Sequence, residues 1–126
     1  MKRAAVFLAL AVVLLVGYRV LVSGGERQPA ETVVEAIESG ATVLDVRTDG
    51  EWAGGHVAGA LHVPVGADDF EARVAGLDRS APVYVYCASG VRSGRAARVL
   101  EGMGFDRVVN AGGLSALRAA GAPVER

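Results

Sequence analysis

Apolar and polar positions along the chain alternate between a helical period and short unbroken apolar runs. Val33, Val34 and Ile37 share one helical face, Thr32 and Glu35 have capping-box spacing, and Gly40 supplies a stop. Thr42–Val46 is a compact apolar run of strand type, and Ala60–Val63 is a second one, closed by Pro64. Phe70, Val74 and Leu77 predict a short helix ended by Asp78-Arg79-Ser80. Pro82–Tyr86 is β-branched and aromatic throughout, the strongest strand signal in the chain. Ser93–Met103 predicts a helix with Ala96, Leu100 and Met103 on one face and Gly104 behind it. Arg107–Asn110 predicts another strand, and Leu114–Ala120 a last helix before Gly121 and Pro123. Strands without polar alternation, interleaved with helices, imply a parallel sheet covered on both faces, hence a small α/β domain.

The beginning of the chain follows a different pattern. Lys2-Arg3 precedes Ala4–Val16, which is apolar without a gap, and after Arg19 the run resumes as Val20-Leu21-Val22. Ala4–Val22 has the length of a membrane-spanning helix, with Arg19 near enough to its end to reach the headgroups. The same residues also suit a secretory signal, with small residues at Val22-Ser23-Gly24 near a cleavage point. The expected organisation is a signal peptide or transmembrane anchor over 1–25, a polar linker over 26–30 and a folded domain over 31–126. Both readings place that domain outside the inner membrane, because Lys2 and Arg3 favour the cytoplasmic side.

Charge sharpens the division. The chain of 126 residues has a formal net charge of −1, but residues 1–25 are purely basic whereas the body sets ten Arg against fourteen acids. An acidic body argues against nucleic acid as a partner. About 100 residues of ordinary composition suffice for one core and leave no room for two. Two widely spaced His and one Cys make no metal-site pattern.

The single cysteine, Cys87, excludes an internal disulfide. It directly follows the strongest strand, and Ala88, Ser89, Gly90, Val91 and Arg92 carry the chain into a helix at Ser93. In parallel α/β folds ligands bind beyond the carboxyl ends of the strands. A helix N-terminus offers free N–H donors and positive dipole, Gly90 lets successive amides converge, and Arg92 adds a permanent charge. Such surroundings lower a cysteine pKa and favour a nucleophilic thiolate over a buried thiol that merely fills space. The candidate set is Cys87 as nucleophile, with Ala88, Ser89, Gly90, Val91, Arg92 and Ser93 binding an anionic substrate. Arg92 is expected to be the main anion-binding side chain.

Other polar residues have structural roles as their first reading. Asp45 and Arg47 point to the same side of a strand and suit an ion pair bracing the loops, Glu51 a partner for a backbone amide or an Arg, and His56 a loop-fixing hydrogen bond. Trp52 is expected in packing, and the Gly pairs at 54–55 and 112–113 in turns.

Three ordered stretches resemble the signatures of single-domain rhodaneses, over nearly all of residues 30–124. The first comprises Val43–Arg47, Glu51-Trp52, Gly55–Ala60 and His62-Val63-Pro64. The second is the loop Tyr86–Ser93. The third comprises Gly104-Phe105, Val108, Gly112-Gly113 and Ala120–Val124. The resemblance implies a rhodanese-like domain whose Cys87 takes sulfur from thiosulfate, a small anionic donor, and passes it from a persulfide to a thiol or to cyanide, with no metal or organic cofactor. Two departures stand out: Leu117 occupies a position where many relatives have Trp, and Ala88 puts no polar side chain directly after the nucleophile. Four residues separate Cys87 from Arg92, whereas related phosphatases and arsenate reductases place five. Those activities and a non-catalytic binding module are the alternatives. A dithiol redox cycle needs a second cysteine that the chain does not have.

Overall fold

The computed structural model describes residues 25–126. Five parallel strands form the central sheet in the order β1-β6-β5-β2-β4. These are β1 (Glu26–Arg27), β2 (Thr42–Asp45), β4 (Leu61–His62), β5 (Val83–Cys87) and β6 (Val108–Gly113). A separate antiparallel pair joins β3 (His56–Val57) to β7 (Val124–Glu125). The helices are α1 (Ala30–Glu38), α2 (Asp49–Ala53), α3 (Phe70–Val74), α4 (Val91–Gly102) and α5 (Leu114–Ala119).

Every residue of β5 is buried, as an apolar strand with helices on both sides must be. Its alternation divides the interior. Val83, Val85 and Cys87 pack with Phe70, Val74, Ala96 and Leu100, on the side of α3 and α4. Tyr84 and Tyr86 face Val33, Val34 and Leu117, on the side of α1 and α5. Leu117 is fully buried there, so its departure from the family pattern is a packing substitution.

Several boundaries differ from expectation for identifiable reasons. Thr32 and Glu35 do not cap α1, which starts earlier, at Ala30 behind Pro29. The capping box of this chain is Thr48 with Glu51 at the start of α2, a helix the apolar pattern alone did not indicate. Helix α4 starts at Val91 rather than Ser93, because Gly90, at φ +94°, turns the chain at once from loop to helix. Glu26 and Arg27, expected in a linker, pair with Val109 and Asn110 and form the edge of the sheet. The Gly112-Gly113 pair is no simple turn but the end of β6, lying against Tyr86 and Cys87. Among the described residues no helix is long and apolar enough to cross a membrane; the proposed span Ala4–Val22 lies outside them.

The expected Asp45–Arg47 pair forms in the interior. Asp45 is fully buried and Arg47 5% exposed. The Arg47 Nη2 donates to Asp45 Oδ2 at 2.7 Å and to the Gly55 carbonyl at 2.7 Å. The Tyr86 hydroxyl donates to the same Asp45 oxygen at 2.5 Å and accepts from the Val57 amide at 3.0 Å. The cluster thus ties β2, β3, β5 and the turn after α2 together. Burial and donation to Asp45 push the Tyr86 phenol far above its usual pKa, so it stays protonated as a donor. Removing one member of a buried pair leaves the other charge uncompensated. Asp45→Ala is expected to destabilise the domain by about 3–5 kcal/mol in urea unfolding, and a loss under about 1 kcal/mol would contradict this account.

Candidate active site

The sheet carries Cys87 to its carboxyl edge, and the loop Ala88–Gly90 folds back over the first turn of α4. Two features let it close so tightly. Gly90 sits at φ +94°, a left-handed conformation that side-chain-bearing residues rarely adopt, so glycine makes this turn without strain. A Cβ on Gly113 would collide with the Ala88 carbonyl, so β6 can lie against the loop only as glycine.

Cys87 is fully buried beneath this loop and is a free thiol. Its Sγ accepts from the Gly90 amide at 3.0 Å and lies 3.4 Å from Ser93 Oγ. Burial alone pushes the thiol pKa up, but hydrogen bonds from the Ser93 side chain and from the amides of Ser93, Ser89 and Gly90 outweigh it. The net shift is downward, toward thiolate. The α4 N-terminus has no side-chain cap, which leaves its first amides free for sulfur or substrate.

Ser93, expected to contact substrate, is instead buried behind the sulfur. Its single hydroxyl proton is shared between Asn110 Oδ1 at 2.7 Å and the Cys87 sulfur at 3.4 Å. Asn110 Oδ1 also accepts from the Gly112 amide at 3.1 Å, and Asn110 Nδ2 donates to the Gly90 carbonyl at 3.0 Å. One buried amide therefore holds the loop, the strand end and the residue beside the nucleophile. Sequence reasoning missed Asn110. The available signal was a lone polar residue in an apolar strand, directly before a Gly-Gly pair.

Arg92 is where expected, but its fork is already engaged. Nη1 and Nη2 donate to Glu51 Oε1 and Oε2 at 2.7 and 2.8 Å. Glu51 is held in turn by the Thr48 amide (3.3 Å) and hydroxyl (3.0 Å). The hydrogen bonds from Arg92 pull the Glu51 carboxyl down to about 2 against the opposing effect of burial, with Thr48 adding to the shift. The exposed residues Ala88, Ser89 and Val91 form the outer rim.

Both histidines are committed elsewhere. A carbonyl only accepts, so His56 Nδ1 donates to the Trp52 carbonyl (3.1 Å) and His62 Nε2 to the Arg47 carbonyl (2.8 Å). Trp52 is stacked between them, with ring centroids 3.4 Å from His56 and 4.6 Å from His62. These three rings brace the α2 region. A groove of about 470 Å³ bordered by Val46, Pro64, Val65, Arg92 and Arg95 opens beside the Arg92 pair. Cys87 does not line it, so it flanks the reacting sulfur.

The rhodanese-like domain family matches residues 29–120. The chain belongs to the rhodanese family. Among its relatives, the thiosulfate sulfurtransferase GlpE of Pseudomonas fluorescens is 42% identical over 89 residues, covering 70% of this chain and 79% of that protein. The thiosulfate sulfurtransferase PspE of Escherichia coli is 38% identical over 71 residues, covering 56% and 68%. This rhodanese domain spans only 36% and 54% of the length of two further relatives, YrkF and YqhL of Bacillus subtilis. The crystal structure of the Alr3790 protein from Anabaena superposes with a TM-score of 0.68 at 34% identity, covering 76% of this chain and 88% of that one. The rhodanese fold thus accounts for the position of Cys87 at the end of β5.

Ser93→Ala removes one stabilising hydrogen bond from the sulfur, so the Cys87 pKa is expected to rise. The pH midpoint of iodoacetamide alkylation would then move upward, with a slower rate at neutral pH. An unchanged midpoint would show that the backbone amides suffice.

Proposed function

We propose that this rhodanese domain is a sulfurtransferase that moves a sulfane sulfur from thiosulfate, or a related donor, to a thiophilic acceptor. The observation that carries the reading is the buried Cys87 sulfur, held toward thiolate by the loop amides and Ser93 at the N-terminus of α4. The thiolate attacks the outer sulfur of thiosulfate, the sulfur–sulfur bond of the donor breaks, and its electron pair leaves with sulfite. Cys87 is left as a persulfide anion. Cyanide or a thiolate then attacks the terminal sulfur and returns the Cys87 thiolate.

The same amides serve both halves, because the negative charge moves by only one sulfur atom between thiolate and persulfide. Cys87 has no solvent contact of its own, and the exposed residues Ala88, Ser89 and Val91 are the rim over which a donor approaches it. The four-residue spacing to Arg92 favours this tight ring, suited to sulfur, over a wider cradle for a tetrahedral oxyanion. The family names of GlpE and PspE support the same donor class.

Intact-mass measurement after thiosulfate treatment tests the reading. The unmodified chain is expected to gain one sulfur atom, and Cys87→Ser to gain none and to form no thiocyanate with cyanide. Sulfur transfer by the Ser variant would refute the mechanism, and a chain that never gains mass would point to a binding module.

We also infer that the domain works outside the inner membrane, exported or anchored through residues 4–22. The basic start and apolar run support this. Cell fractionation is expected to place the domain in the extracytoplasmic or membrane fraction; intact domain in the cytosol would refute it.

A further inference from the structure

The Arg92 guanidinium, in the first turn of α4 just after the loop, does not face an open site. Its two terminal nitrogens each give a hydrogen to Glu51, at 2.7 and 2.8 Å. This contact does not wait for substrate. Glu51 occupies the third position of α2, where the capping box with Thr48 orients its carboxylate. Both members are about one-third exposed, so they stand at the mouth rather than in the core. Together they are neutral. An approaching anion therefore meets the loop amides, the Arg27 guanidinium beside Gly90 and an Arg92 already compensated by Glu51.

We propose that Glu51 is a specificity-determining residue that selects sulfur donors by charge, holding Arg92 back from dianions and favouring donors with less negative charge. This rests on the sulfurtransferase reading and deepens it. A dianion such as thiosulfate must either displace the carboxylate from Arg92 or bind without that cation. A donor with one charge less loses less by that arrangement and is repelled less by both Glu51 and the thiolate.

Two donors separate charge from chemistry. Thiosulfate and benzenethiosulfonate both present an outer sulfur to the Cys87 thiolate. In each case the new sulfur–sulfur bond forms at Cys87, the donor's own bond breaks, and the electron pair leaves on sulfite or benzenesulfinate. The second donor carries one negative charge fewer. Single-turnover loading of Cys87, followed by intact mass on the full chain, gives a second-order rate constant for each. Glu51→Gln is the informative variant, because Gln also completes a capping box and preserves the start of α2.

The ratio of the thiosulfate rate to the benzenethiosulfonate rate is expected to rise about tenfold at low salt in Glu51→Gln, and to rise less as ionic strength increases. An unchanged ratio, or an equal fall for both donors, would overturn the proposal and leave Glu51 as a purely structural brace. A thermal melt accompanies each variant; an unaltered melt with an unaltered ratio refutes the gate directly. If neither donor loads Cys87 in the unmodified chain, the sulfurtransferase reading itself is lost, and the gate with it.

Discussion

Drawing a sulfur toward its charged form where water does not reach it is the constraint around which this domain is arranged. Cys87 is fully buried, and burial alone would return it to the neutral thiol. The opposing pull toward thiolate comes from hydrogen bonds that only a particular backbone can aim: the Gly90 amide at 3.0 Å, the Ser93 hydroxyl and the first amides of α4. Those donors stay in place because Asn110 fastens the Gly90 carbonyl, the Gly112 amide and the Ser93 hydroxyl to one side chain. Gly113, without a Cβ, lets β6 come close enough for Asn110 to reach them.

A second buried polar cluster does a different job. Asp45, Arg47 and Tyr86 satisfy one another beneath the same edge of the sheet and bind the Gly55 carbonyl and the Val57 amide. Their contribution is to position α2, and α2 carries Glu51 to Arg92. The charge at the mouth is therefore set two steps away, through a capping box and a buried ion pair. Trp52, stacked between His56 and His62, stiffens the same segment. Both histidine rings are thus committed to bracing this segment through hydrogen bonds and stacking.

Residues that report their role through local pattern were legible in the chain. The β5 run from Val83 to Tyr86, the helix over Ala96 and Leu100, and a cysteine placed between them all follow from apolar period and turn chemistry. So does the Asp45–Arg47 pair, because residues two apart on a strand share a face. Asn110 was not legible as such, and Glu51 was legible as a partner for a backbone amide or an Arg but not as the partner of Arg92. Asn110 acts on residues 17 and 20 positions away, and Glu51 meets Arg92 across 41. Local spacing has no access to such distances. The Thr32–Glu35 cap failed for a related reason: Pro29 had already started the helix, and the same motif functioned instead at Thr48.

The amino-acid sequence by itself determined the α/β class and singled out Cys87 as the candidate nucleophile, since these depend on residue type and short-range period. Only the tertiary structure decided how charge is distributed around that nucleophile. Arg92 looks like an open anion receptor along the chain, but folding turns its fork onto Glu51, because α2 and α4 meet at the same edge of the sheet. The strength of an electrostatic site depends on which charges end up in contact, and that is a property of packing.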